Sequence, residues 1–252
     1  MLLANSASAF ARFCLHFCPF LEQYMVNLRN NKNQSISNLP LRKQIKDALV
    51  RQIIMGGYTP GERLIELRIA EQFGTSQAPV REALRDLEVT GLVEHAPRRG
   101  TYVAHKIPDS LREIYRVRGS LEETAVRSAI KQFTGNTGLL QVEIDAMAKA
   151  ANERDITALC EHSVAFHQII VEAAGNRLLL KTWLSLQIDT QTTIALMTEG
   201  IDLMEAALSH QPIADAIEAG DTELACRLSR EHQEHFEEMP LPNIDSQSES
   251  VA

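Results

Sequence analysis

Three histidines carry the clearest potential for coordination chemistry: His167, His210 and His232, on three different predicted helices. His210 and His232 stand 22 residues apart with Gly220-Asp221 turning the chain midway, so two antiparallel helices can set both rings at one level. Neutral imidazoles converging inside a helical bundle are natural ligands for a divalent cation. A lone helical histidine is more often a surface or hydrogen-bonded residue, and spacing alone leaves both readings open. Arg118 has the planar fork that matches two carboxylate oxygens. It also stands four residues before Glu122, where an intrahelical ion pair would occupy the same guanidinium. Asn176 follows Gly175 and reads first as a helix cap, second as a pocket residue. His162 and His235 read as surface residues.

A second set of residues suits nucleic acid. In Glu66-Leu-Arg-Ile-Ala-Glu-Gln-Phe-Gly-Thr-Ser-Gln-Ala-Pro-Val-Arg-Glu-Ala-Leu-Arg85, the apolar Ile69, Phe73, Val80 and Leu84 face inward. Ala70 permits a close helix crossing, and Gly74 supplies the turn. Ser76, Gln77, Ala78, Arg81 and Arg85 are left facing out. Glutamine can pair with adenine, arginine with guanine, and alanine can touch a thymine methyl. Thr75 and Ser76 are placed to bond phosphate at a helix N-terminus. Beyond them, Pro97-Arg-Arg-Gly100 offers Arg98 and Arg99 to the DNA backbone or minor groove, with Gly100 allowing a tight turn.

The elements that must position these residues follow from the apolar pattern. Leu41, Ile45, Leu49 and Ile53 recur at helical spacing, and Gly56-Gly57 stops that helix. A second helix covers about Ile65 to Phe73, and a third runs from Ser76 to about Thr90. Two short apolar strands then flank residues 97–100 as a β-hairpin. After Pro108 the pattern is helical throughout. Breaks near Gly135-Asn136, 152–155, Gly175-Asn176, Gly200 and Gly220-Asp221 leave about six helices, the profile of an antiparallel bundle. The expected fold is mostly α: a winged helix-turn-helix over residues 39–106 and a helical domain over 107–239. A flexible extension (1–38) and a disordered tail (240–252) flank them.

Net charge is −8, unpromising for a nucleic-acid binder until the chain is divided. Residues 25–106 carry 13 Lys+Arg against 8 Asp+Glu, whereas residues 107–252 carry 11 against 24. A basic front with an acidic back suits a part that holds DNA joined to one that stays off it. No run of 18 apolar residues supports a membrane span. The four cysteines lack metal-finger spacing, Cys160 and Cys226 read as buried apolar residues, and a cytoplasmic setting is expected. The aromatic stretch from Phe10 to Leu21 lacks a basic start and a clean cleavage site. It reads as an extension with Met25 as the true start, a weak export signal being the alternative.

These residues resemble a known family. Ala-Pro-Val-Arg-Glu-Ala-Leu-Arg-Asp-Leu-Glu (78–88), Gly91-Leu-Val, Arg99-Gly-Thr-Tyr-Val103 and the turn Gly57-Tyr-Thr-Pro-Gly-Glu-Arg-Leu64 are similar to the winged helix of GntR-type regulators. Gln77 stands where that family commonly has arginine, which bears on operator sequence. Residues 107–239 resemble the FCD effector domain of the FadR-like subgroup, on Arg118-Gly-Ser-Leu-Glu122, Phe166-His167, Ala174-Gly-Asn176 and His210…Asp221…His232. The resemblance implies a metal held by three histidines and an Asp, with a small organic acid completing its coordination. Zinc is the first expectation, nickel and manganese the alternatives. One turn before His167, where the family has Asp or Asn, stands Ser163, so the site is expected to be less anionic and to hold its metal less tightly. Arg118, Ser163 and Asn176 are the candidate effector residues.

The leading expectation is therefore a ligand-responsive regulator and not an enzyme. It would bind double-stranded DNA at a near-palindromic operator as a homodimer, because two half-sites multiply specificity. A metal-dependent hydrolase is the competing class, although no His-Glu-x-x-His motif supplies a general base. In a third reading, the metal itself is the signal.

Overall fold

The computed structural model describes residues 40–105 and 110–238. The extension over residues 1–38 and the tail over 240–252 lie outside the described residues. The described residues from Leu41 onward form one unit.

Helix α1 (Leu41–Ile54) forms because Ile45, Leu49 and Ile53 fall on one stripe, each no more than 1% exposed. A short strand β1 (Arg63–Leu64) precedes α2 (Glu66–Gln72) and α3 (Gln77–Val89). Gly74 takes φ +60° between the two helices, and the Thr75 N–H donates to Ala70 O at 2.9 Å, closing the turn tightly. Strands β2 (Val93–Ala96) and β3 (Gly100–Val103) form the expected hairpin. Sequence reading missed β1, which pairs antiparallel with β3 to make a sheet of order β1-β3-β2. Two residues are too few to show alternation. Gly100 takes φ +108° and lies under Arg63 of β1, where a Cβ would come 3.1 Å from the guanidinium. Ile45, Ile69, Val80, Leu84, Leu87 and Val103 make a common core for α1, α2, α3 and the sheet.

The helical part begins with α4 (Ser110–Phe133), α5 (Gly138–Glu153) and α6 (Ile156–Ala173). It continues with α7 (Arg177–Ser185), α8 (Ile188–Leu196), α9 (Leu203–Leu208), α10 (Gln211–Ala219) and α11 (Thr222–Glu238). The expected breaks are all present, but two of the six expected helices are each split in two. Gln187 adopts left-handed φ 54°, ψ 48° and separates α7 from α8. Pro212, near the start of α10, has no N–H with which to continue α9, so the helix restarts at Gln211. Helix α11 packs along α4, α6 packs on α4, α5 and α8, and Phe166, Trp183, Leu140 and Met147 fill the centre at 1% exposure or less. Cys160 and Cys226 are buried free thiols, as read from the sequence. Among the described residues, no helix is long and apolar enough to cross a membrane.

Candidate functional site

Three separate elements bring the predicted histidines together. His167 projects from α6, His232 from α11, and His210 sits at the first residue before α10 rather than within a helix. Ring centroids are 4.4 Å apart for His210–His232, 5.1 Å for His167–His210 and 5.2 Å for His167–His232. One nitrogen from each ring lies within 4.8 Å of the other two. Phe166 meets His167 and His210 edge-on, holding both rings in place.

Hydrogen-bond partners fix which nitrogens face inward. His210 Nδ1–H donates to the carbonyl oxygens of Ala206 and Ala207 at 3.2 Å, which leaves Nε2 with its lone pair toward the cluster. The Ser163 hydroxyl lies 3.3 Å from that Nε2 and donates to it. His167 Nδ1–H donates to Glu122 Oε2 at 2.9 Å. Its Nε2 is buried without a hydrogen-bond partner. An orphaned, buried lone pair aimed at two further imidazoles is what a divalent cation requires, and the residues fit one. Burial holds all three rings neutral, with the neighbouring rings reinforcing it in His210 and His232, and His210 is pushed down to about 3.

Glu122, read from sequence only as a partner for Arg118, organises this site. Its carboxylate accepts from Arg118 Nε at 2.7 Å, Trp183 Nε1 at 2.8 Å and Gln233 Nε2 at 2.9 Å, besides His167. Burial opposes its charge, yet Arg118 and the His167 N–H hold it well below the usual carboxylate range. Nothing local could have shown this, because Trp183 and Gln233 lie 61 and 111 residues away in sequence. All four donors converge on Glu122, so it is no free general base for a metal hydrolase.

A cavity open to solvent adjoins His210 and His232. Arg118, Ser163, His210 and His232 line it together with Thr192 and Tyr115, and Met147, Leu159, Leu196 and Phe236 supply apolar wall. Arg118 pairs with Glu122, the first of its two readings, and also lies on the cavity wall, 3% exposed. Asn176 does not come to the site. It is exposed, and its side chain accepts from the N–H groups of Leu178 and Leu179, capping α7. His162, read as a surface residue, is half-buried and bonded to the buried Glu143 at 2.8 Å.

At the other end of the chain, Ser76, Gln77, Ala78, Arg81 and Arg85 are exposed on α3, with Thr75 half-buried just before it. Ser76 occupies the N-cap position without a side-chain capping bond. Arg81 is forked onto Glu66 of α2, with Nη2 to Oε2 at 2.9 Å. Arg98 and Arg99 are exposed at the hairpin tip. There Arg98 takes φ 62°, and the Tyr102 hydroxyl donates to Arg99 O at 3.1 Å.

Comparison with known proteins adds identity to this geometry. Residues 41–103 match the bacterial regulatory proteins of the gntR family, and residues 113–235 match the FCD domain. The chain is 36% identical over 193 residues to the probable D-xylose utilization operon transcriptional repressor of Paenarthrobacter nicotinovorans, covering 77% of this chain and 85% of that one. It is 28% identical over 196 residues to the HTH-type transcriptional regulator McbR of Escherichia coli (strain K12), covering 76% and 88% respectively. The solved structure of E. coli McbR/YncC superposes with a TM-score of 0.58 at 25% identity, over 78% of this chain and 95% of that one. With a DNA-binding helix-turn-helix followed by an effector-type helical domain, the chain belongs to the GntR family of bacterial transcriptional regulators, of the FCD type, and is not an enzyme.

Proposed function

We propose that this regulator senses a small organic acid at a divalent metal held by His167, His210 and His232, and answers by changing its affinity for DNA. The observation that carries this is the orphaned Nε2 of His167, buried beside two other neutral imidazoles, His210 and His232, which line a cavity together with Arg118. A bound zinc, nickel or manganese ion would supply a positive centre that attracts a carboxylate. The protein's own part is to hold the rings in one tautomer, to keep Arg118 on the cavity wall, and to surround both with apolar side chains. Ser163 brings no charge, so the anion itself supplies the missing one. Asn176 has no part in this reading beyond its capping role.

On the DNA side, Gln77, Ala78, Arg81 and Arg85 read bases, while Thr75, Ser76, Arg98, Arg99 and Gly100 set the phosphate register. The working form is a cytoplasmic homodimer on a near-palindromic operator, with DNA-binding and effector domains dividing at residue 106. The name of the P. nicotinovorans relative points to control of a catabolic operon as the biological setting.

The test is elemental analysis of purified protein beside His167→Ala, followed by separate titrations of metal and carboxylates against operator binding. Near one metal per chain in the wild type, lost in the variant, supports the site; no metal in either removes it. An operator response to metal that added acid leaves unchanged would instead favour a metal sensor.

A further inference from the structure

Helix α8 has two faces with two different audiences. At about 100° per residue, Ile194 and Met197 fall on one arc and Thr192, Ala195 and Leu196 on the other, with Asp189 between them. Thr192, Ala195 and Leu196 line the cavity, and Thr192 stands 3.5 Å from Arg118. Ile194 belongs to the apolar core of the winged helix, and Met197 packs against it. Asp189 takes both carboxylate oxygens to Lys46 of α1, at 2.7 and 2.9 Å, and Lys46 is only 4% exposed.

The start of α8 is tied more closely still. Gln187 accepts from Lys46 Nζ at 3.0 Å and donates to Asp86 Oδ1 of the recognition helix α3 at 3.4 Å. Asp86 is also forked by Arg42 of α1, at 2.5 and 2.6 Å. Gln187 holds these bonds from a left-handed backbone that side chains rarely adopt, between α7 and α8. A nine-residue helix with a joint at its start, one face on the cavity and the other on α1 and α3, has two sets of contacts that cannot shift independently.

We infer that α8 is the element through which the occupied cavity acts on the recognition helix, with Gln187 and Asp189 as its positioning residues. This rests on the reading of the cavity as an effector site. Occupancy of the cavity, by a cation on His210 and His232 or an anion against Thr192, Ala195 and Leu196, displaces α8, and the Lys46–Asp189 and Gln187–Asp86 bonds carry that displacement to α1 and α3.

The experiment is amide hydrogen exchange of residues 41–54 and 77–89, in zinc-loaded against chelator-treated full-length protein. Fluorescence of Trp183, the chain's single tryptophan and a direct neighbour of Glu122, reports zinc binding independently. Zinc should change exchange in α1 and α3 by about fivefold or more, the lower end of ordinary allosteric coupling. Gln187→Ala and Asp189→Asn should still bind zinc but lose that change. If zinc binds and α1 and α3 do not respond, or if both variants respond as wild type does, the inference is overturned. Failure of zinc to bind would instead sink the metal reading, and Ala206→Met then decides the inference without any ligand, filling the cavity from α9. Its effect on α1 and α3 should vanish when combined with Asp189→Asn; no effect in the single variant, or an undiminished one in the double, refutes the transmission.

Discussion

Replacing Glu122 with glutamine changes one atom and should disturb both the stability and the chemistry of the helical domain. The carboxylate now divides four donors between its oxygens: Arg118 and Trp183 on Oε1, His167 and Gln233 on Oε2. An amide offers one oxygen. The cheaper placement keeps it on Arg118 and Trp183 and turns the NH2 toward His167 and Gln233. Gln233 can adapt by flipping, since its Oε1 has no partner. His167 can adapt only by giving up the proton on Nδ1, which moves it to Nε2 and turns the would-be ligand nitrogen into a donor. Meanwhile Arg118, 3% exposed, loses its countercharge. Stranding a buried charge costs about 3–5 kcal/mol, or roughly 6–20 °C in Tm for a domain of this size. Loss of the partner that fixes a ligand tautomer lowers metal affinity about 10–100-fold. Urea unfolding followed through Trp183, with chelator present, measures the first effect, and zinc competition against a chromophoric chelator the second. The double variant Arg118→Met, Glu122→Gln should recover much of the stability but not the zinc affinity. Wild-type stability and zinc binding in Glu122→Gln would falsify the claim that this carboxylate organises the site.

Three further outcomes are expected. Ser163→Asp places a carboxylate beside His210 and should raise zinc affinity by more than the ~100-fold upper range of outer-sphere changes, while destabilising the zinc-free protein. Unchanged affinity in a competition titration would show that position 163 does not face the metal. Arg81→Ala should abolish sequence-specific binding to a selected operator duplex and leave stability little changed, because its pairing with Glu66 is exposed; retained specificity would remove Arg81 from the interface. Zinc-free protein should lose stability as pH falls below 6.5, the ordinary histidine value, because the unfolded chain then takes up protons that buried His167 and His210 and half-buried His232 refuse. The slope approaches about 1.4 kcal/mol per pH unit for each histidine. Glu122, with its lowered pKa beside Arg118, adds a loss of the same sign further into acid. Flat urea midpoints between pH 7 and 5 would contradict the neutral, buried state of these rings.

Local residue pattern dictates the elements and much of the site's cast. Apolar residues at helical spacing are a local property, so α1, α2, α3 and the breaks at Gly135, Gly175 and Gly220 were legible without a fold. So were the hairpin around residues 97–100 and the outward set from Ser76 to Arg85, because a helix's buried face defines its exposed one. The three histidines were legible as candidates, since a turn at Gly220 folds His210 back toward His232. Tertiary structure alone decided the rest. Helix α8 emerged as a separate element because Gln187 turns left-handed while bonded to Lys46 and Asp86, partners 141 and 101 residues away. Asn176 stayed outside the cavity because its cap to α7 is satisfied locally. Glu122 became the centre of the site because burial makes a carboxylate collect every donor within reach, and those donors come from helices that only packing brings together.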